Sequence, residues 1–270
     1  VVAFNSLGIN LHPVTLQLIL PVGISFYTFQ ALSYTIDVYR GKLNATRDPI
    51  SFFAFISFFP QLVAGPIERA TNLLPQFQKE RHFDYVTAVD GTKQILWGLF
   101  KKMVIADNCA DVVDLIWENP STHSSLMLII ASILFAFQIY GDFSGYSDIA
   151  IGTGKLFGIR LMRNFNLPYF SRSMAEFWKR WHISLNTWFV DYVYIPLGGS
   201  REGKWKAVCN TFIIFFLSGI WHGANWTYVT WGVYHAALFL PLLILGKKRN
   251  YKDTVAESRC LPSFTELRQV

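Results

Sequence analysis

Long apolar runs separated by short basic clusters dominate the chain. Four runs approach the roughly 20 mainly apolar residues that a membrane-spanning helix needs: Val14 to Ile36, Ser125 to Ile151, Val208 to Trp221 and Trp226 to Leu245. The third is short. Phe52 to Pro66 is also apolar, but Pro60, Gly65 and Pro66 break it and basic residues stand on both flanks, so it is expected to enter and leave on one side as a re-entrant segment packed within protein. Lys93 to Asn119 is interrupted by Lys101, Lys102, Asp107, Asp111 and Asp114. Its three aspartates fall at i, i+4 and i+7, which predicts an amphipathic crossing with the aspartate face turned inward.

Ser173 to Phe189 has another character. Ser173 followed by Glu176 reads as a capping box, and Phe177, Trp181, Leu185 and Trp188 recur at helical spacing beside a second stripe of Trp178, His182 and Phe189. Glu176 and Arg180 are one turn apart and are expected to pair. This helix is too polar for lipid and is expected at the cytoplasmic interface or packed into a bundle. Pro196, Gly198 and Gly199 then mark a tight turn, flanked by Asp191 and Arg201. No internal repeat or low-complexity linker appears. The expected architecture is all-α: a polytopic transmembrane helical bundle with re-entrant and interfacial helices, forming a single membrane domain over residues 1–270. With no initiator Met, Val1 opening straight into apolar sequence and a polar tail after Lys247, the chain is expected to be a fragment, incomplete at both ends.

Composition strengthens this picture. Hydrophobic residues make up 52% of the 270 and charged ones only 16%, well below the quarter usual in soluble domains. The net charge of +6 resides in clusters between apolar runs, namely Arg40 to Arg47, Arg69 to Lys93, Lys155 to Arg180, Arg201 to Lys206 and Lys247 to Arg249. This is the pattern of cytoplasmic loops, not of a nucleic-acid surface. The charge-poor connections, Glu118 to Ser124 and His222 to Asn225 among them, then face outward. Cys109, Cys209 and Cys260 form no C-x-x-C, so neither a disulfide framework nor a zinc site is expected, and no H-E-x-x-H occurs.

Polar groups embedded in apolar sequence mark the candidate chemistry, because ionisable side chains at membrane depth cost several kcal/mol unless they face a bundle interior or a wet cavity. Gln138, Tyr140, Asp142, Ser144 and Asp148 close one span. Trp178 to His182, with Arg180, form a second group, and Trp221, His222 and Asn225 follow the Thr211 to Ile220 run. A neutral imidazole can take a proton from an attacking hydroxyl, an effect worth about 10²–10⁴ in rate. For His222 the choice stays open between that role and a histidine satisfied by one backbone carbonyl. His182 is read as packing or positioning, and His235 as packing. Asp142 and Asp148 either relay protons or bind a cation, or else serve as local caps.

Five ordered segments resemble the membrane-bound O-acyltransferase (MBOAT) family, in the bacterial branch that holds alginate O-acetylase and the D-alanine transfer protein of teichoic acid modification. They are LPVGISFYTFQALSYTIDVYRG from Leu20, FFPQLVAGPIER from Phe58, GDFSGYSDIAIG from Gly141, FWKRWHISLNTWFVDYVYIPLGGSR from Phe177 and GIWHGANWTYVTWG from Gly219. The resemblance implies that His222 is the catalytic histidine, that His182 is a second functional histidine, and that the helices surround a funnel and tunnel.

It further implies a multi-pass protein of the bacterial cytoplasmic membrane, in contact with lipid. Its acyl thioester donor, acetyl-CoA or an acyl carrier protein, acts as co-substrate, and no cofactor is tightly bound. The acceptor is a polysaccharide hydroxyl or an extracellular acyl-relay protein. Supporting roles are expected for Asn225 and Trp221 beside the base, and for Gln138, Asp142, Arg180 and Asp191. His182 or Asn225 would polarise the acyl carbonyl or orient the base. D-alanyl transfer to teichoic acid is the alternative within the enzyme class; a transporter or proton channel is the alternative outside it, and inverted repeats would favour that reading.

Overall fold

The computed structural model describes residues 23–223 and 225–244. The beginning of the first expected span, His12, Cys260 and the tail from Lys247 lie outside these residues. Among the described residues the chain is helical with no strand. Ten α-helices follow one another among the described residues: α1 Ile24–Tyr39, α2 Pro49–Ile56, α3 Ala70–Gln78, α4 Tyr85–Leu99, α5 Asp107–Glu118, α6 Ser125–Leu156, α7 Met174–Arg180, α8 Ile183–Phe189, α9 Lys204–His222 and α10 Trp226–Ile244. Two of them, α6 and α10, are long and apolar enough to cross a membrane. The third expected span is α9, which starts on Lys204, four residues earlier than its apolar run.

The apolar segment from Phe52 breaks as its prolines demand. Asp48 caps α2 by accepting the Ile50 N–H at 3.0 Å, Pro49 occupies the first turn, and a 3-10 turn at Phe59–Gln61 follows. Gly23, at φ 80°, lies so close to this segment that a Cβ there would fall 2.6 Å from the Leu62 carbonyl oxygen.

Helices α4 and α5 join through a π-turn at Phe100–Ala106 into one interrupted rod that packs along α6. The rod faces α6 with Ala106, Val113 and Ile116, all buried, whereas Asp111 and Asp114 are exposed. The expectation of an inward aspartate face is therefore corrected for Asp111 and Asp114, since covering an apolar stripe is favourable and burying carboxylates is not, while Asp107 borders a cavity and pairs with Lys102. Glycines bring the two rods together at Gly91 and Gly98 on α4 against Gly152 and Gly145 on α6. An added Cβ would lie 2.5–2.8 Å from the facing carbonyl oxygen at each of these four positions.

The expected helix from Ser173 to Phe189 is two helices. Ser173 accepts the Glu176 N–H at 3.2 Å, but Glu176 turns its carboxylate to the Arg172 N–H at 2.9 Å, so only half of the capping box forms. The break falls at His182, whose φ of 44° is left-handed. Phe177 and Trp181 still stack one turn apart, with centroids 5.6 Å from each other, and the face is lost only past the bend, where Leu185 packs in another core. One core packs Phe29, Ile67, Leu185, Trp188 and Phe189 together, with Phe26 and Trp221 against it. This core ties α1 and α8 to the end of α9, where His222 stands.

Candidate active site

The segment before α7 runs beside the α7–α8 junction and clamps it. Asn166 N–H donates to the Arg180 carbonyl at 2.9 Å, the Arg180 guanidinium returns a bond to the Asn166 carbonyl at 3.1 Å, and Ile183 N–H donates to the Asn164 carbonyl at 2.9 Å. His182 is trapped in the bend between these bonds. Its left-handed backbone costs on the order of 1–3 kcal/mol, a strain that the surrounding hydrogen bonds hold in place. The ring is 3% exposed, and its Nδ1 lies 3.1 Å from Asn164 Oδ1. Phe143 and His182 meet at right angles with centroids 4.6 Å apart. Its other nitrogen, Nε2, is buried and has no hydrogen-bond partner.

His222 ends α9. His222 is itself exposed, with three aromatic rings against it: Trp221 at 4.8 Å, Trp231 at 5.1 Å and Tyr228 at 6.4 Å between centroids. Trp221 also reaches His182, at 6.2 Å, so one indole touches both histidines. Gly219 lets the α10 backbone approach α9 at this end, for a Cβ there would sit 2.5 Å from the Tyr228 carbonyl oxygen.

Two cavities meet at the histidine pair. One, of about 650 Å³, is bordered by Lys102, Gln138, Asp142, Phe143, Trp221 and both histidines. The other, of about 250 Å³, runs between α7–α8 and α9–α10 past Trp178, Phe189, Phe215 and Phe239, and again both histidines border it. From Thr211 to His222 its wall follows α9 over eleven residue steps, roughly 16 Å at about 1.5 Å per step. The first cavity is the larger of the two and is edged by Lys102, Asp107 and Asp142. The second is narrow and aromatic. Both histidines therefore border a cavity edged by charged side chains and a second one lined by aromatic rings.

The remaining predicted site residues divide sharply. Gln138 borders the larger cavity with a buried, unpartnered Oε1, and the Trp221 Nε1 is likewise unpartnered. Asp142 borders it too, 2.7 Å from Lys102, which also holds Asp107 at 2.7 Å. Asp148 pairs with Lys101 at 2.5 Å and accepts from Gln94 at 2.8 Å, so both aspartates are ion-paired. Arg180, 3% exposed, binds Glu176 at 2.8 Å as expected and secures the fold behind the site. Asp191 lies in the π-turn Val190–Tyr194, 3.5 Å from Arg69. Asn225 caps α10, its Oδ1 accepting the Thr227 N–H at 3.1 Å. Arg180, Asp191 and Asn225 border neither cavity. His235 packs among Trp178, Trp231 and Phe215. Asn164 and Lys102 went unread as site residues; a single Asn in an irregular segment carries no periodic signal.

The family model of the membrane-bound O-acyltransferases matches residues 43–248. The chain belongs to this family. Among its relatives is a probable alginate O-acetylase AlgI of Pseudomonas putida, 47% identical over 237 residues, covering 87% of this chain and 48% of that protein. A peptidoglycan O-acetyltransferase of Helicobacter pylori is 40% identical over 250 residues, 83% of this chain and 47% of that protein. A teichoic acid D-alanyltransferase of Bacillus subtilis is 33% identical over 234 residues, 80% of this chain and 57% of that protein. The chain spans about half the length of the curated relatives it matches. As a member of this family it is a membrane protein, and the segment that carries the family match includes both histidines and, Phe26 apart, the residues that border both cavities.

Proposed function

We propose that this chain forms the reaction centre of a multi-pass O-acyltransferase of the bacterial cytoplasmic membrane, which moves acetyl from a thioester donor onto a hydroxyl of a cell-envelope or secreted polysaccharide, directly or through an extracellular relay protein. The observation that carries this reading is the meeting of two unlike cavities at His182 and His222. Relatives named as O-acetylating proteins, at 40–47% identity, support acetyl as the group moved.

The donor, acetyl-CoA or an acyl carrier protein, sends its thioester arm along the narrow aromatic cavity, while the acceptor enters the wider one. His222 takes the proton of the acceptor hydroxyl as its oxygen attacks the thioester carbonyl carbon. The C–O bond forms, the C–S bond breaks, and the proton passes from the imidazolium to the departing thiolate. No cofactor is consumed. Thioester-to-ester transfer needs alignment and exclusion of water, which aromatic walls supply.

His222→Ala in the full-length protein tests the scheme. Acyl ester on the envelope polymer, read by mass analysis, should fall by at least about 10²-fold while the protein stays in the membrane at normal abundance. Retained transfer would remove the base. The same mass analysis separates acetyl from D-alanyl esters, the second reading that the 33% relative supports.

A further inference from the structure

Asn164 is fully buried, and its side-chain oxygen gathers three neighbours: the Ser184 backbone N–H at 3.3 Å, the Ser184 hydroxyl at 2.9 Å and His182 Nδ1 at 3.1 Å. The Ser184 N–H can only donate. The amide edge facing it must therefore be oxygen, because the flipped amide would set NH₂ against N–H. The other edge points its NH₂ to Ser147 Oγ at 3.2 Å, which suits this orientation. An amide oxygen only accepts, so His182 Nδ1 carries the hydrogen. In a neutral imidazole the second nitrogen is then bare. That nitrogen, Nε2, is the buried atom left without a partner, on a residue that borders both cavities.

We infer that Asn164 is a positioning residue that fixes the His182 tautomer, so that His182 meets the substrate through a bare Nε2 as a hydrogen-bond acceptor. The group it fits is a donor, a hydroxyl O–H or an amide N–H. An acyl oxyanion does not fit, since a lone pair aimed at it repels; the carbonyl-polarising role open to His182 from the sequence is thereby withdrawn. Ser147 on α6 and Ser184 on α8 hold Asn164 from two sides, which makes the arrangement rigid. The identity of the substrate rests on the proposed acyl transfer, whereas the tautomer does not.

The first measurement is the nitrogen NMR spectrum of histidine-labelled full-length protein in lipid, with His182 assigned by subtraction of a His182→Asn spectrum. Hydrogen on Nδ1 and a bare Nε2 are expected; hydrogen on Nε2 overturns the inference whether or not any variant folds. The second measurement is steady-state kinetics. Asn164→Ala should raise KM about tenfold, the worth of one hydrogen bond. The rise appears for the acceptor alcohol if Nε2 binds its hydroxyl, and for the thioester if Nε2 binds a donor amide. Asn164→Asp keeps an accepting oxygen and should stay within about threefold of wild type. Unchanged kinetics in Asn164→Ala, a loss confined to kcat, or an Asn164→Asp variant as impaired as Asn164→Ala while normally folded would each refute the assignment. A His222→Ala variant that retained activity would sink the proposed base and leave the tautomer standing.

Discussion

Replacing Gly98 by Ala sets two known effects against each other. In an exposed helix Ala is favoured over Gly by about 1 kcal/mol, so propensity alone predicts stabilisation. Packing predicts the opposite. The new Cβ would lie 2.6 Å from the Gly145 carbonyl oxygen and 2.8 Å from Ile149 Cγ1. The oxygen belongs to the α6 backbone and cannot rotate away, so the α4 and α6 axes must part by several tenths of an ångström along a shared interface. Overpacking of this kind costs about 1–3 kcal/mol, which outweighs or matches the propensity gain. Small residues at such contacts are what allow helices in a bilayer to gain close packing.

A net loss of about 0–2 kcal/mol is expected for Ala, and more for Val. At about 2–4 °C per kcal/mol in chains of 150–250 residues, Gly98→Ala should lower the melting temperature by no more than about 8 °C. Thermal unfolding of the full-length protein in detergent, followed by fluorescence, provides the assay. Gly98 and Gly145 face each other, so Gly98→Ala with Gly145→Ala should deviate from additivity. A rise in melting temperature for Gly98→Val would refute the close approach of the two rods.

Glu176→Ala leaves the Arg180 guanidinium buried without its carboxylate and should cost about 3–5 kcal/mol, seen as loss of folded protein by size-exclusion profile. Lys102→Ala removes a half-exposed cation shared by Asp107 and Asp142; stability should change by less than about 1 kcal/mol, while the KM for the acceptor should shift because the cavity wall gains net negative charge. Ser173→Ala deletes the cap of α7 and should cost about 1 kcal/mol, measured by denaturant titration. The Ser51 hydroxyl bonded to Asp48 holds that carboxyl below the ordinary carboxylate range, so the α2 cap contributes above the unfolded pKa and is lost as pH falls through the folded one. Asp48→Asn should abolish this acid sensitivity in a pH-dependent melting series.

Helices were readable where one apolar run decides the matter. Ser125 to Ile151 became a helix ending at Leu156, and Trp226 marks the start of α10 as expected. The Ser173 cap and the Glu176–Arg180 pair were also legible, because both are local. The break at His182 was not. Asn164, eighteen residues upstream, bonds to His182 and Ser184, while Asn166 holds Arg180 on the other side of the bend, and no spacing rule reports contacts of that range. The aspartate face held only at Asp107, for another reason: a stripe of carboxylates looks like the lining of a wet interior, yet beyond Asp107 the opposite stripe of Ala106, Val113 and Ile116 fits a neighbour better. Within the site, His182 and His222 were found from residue type and setting, together with the family resemblance, whereas Asn225 was placed beside the base by adjacency in sequence and is occupied in capping α10.

The left-handed bend that carries His182 narrows the routes by which this junction could change in evolution or in the laboratory. Outside glycine, only asparagine, aspartate and histidine enter that backbone region with any ease, and β-branched side chains scarcely do. A saturation library at position 182 would thus separate into two classes before chemistry was scored: a few occupants that keep the corner turned, and a majority that unseat α8 and, with it, a wall of the narrow cavity.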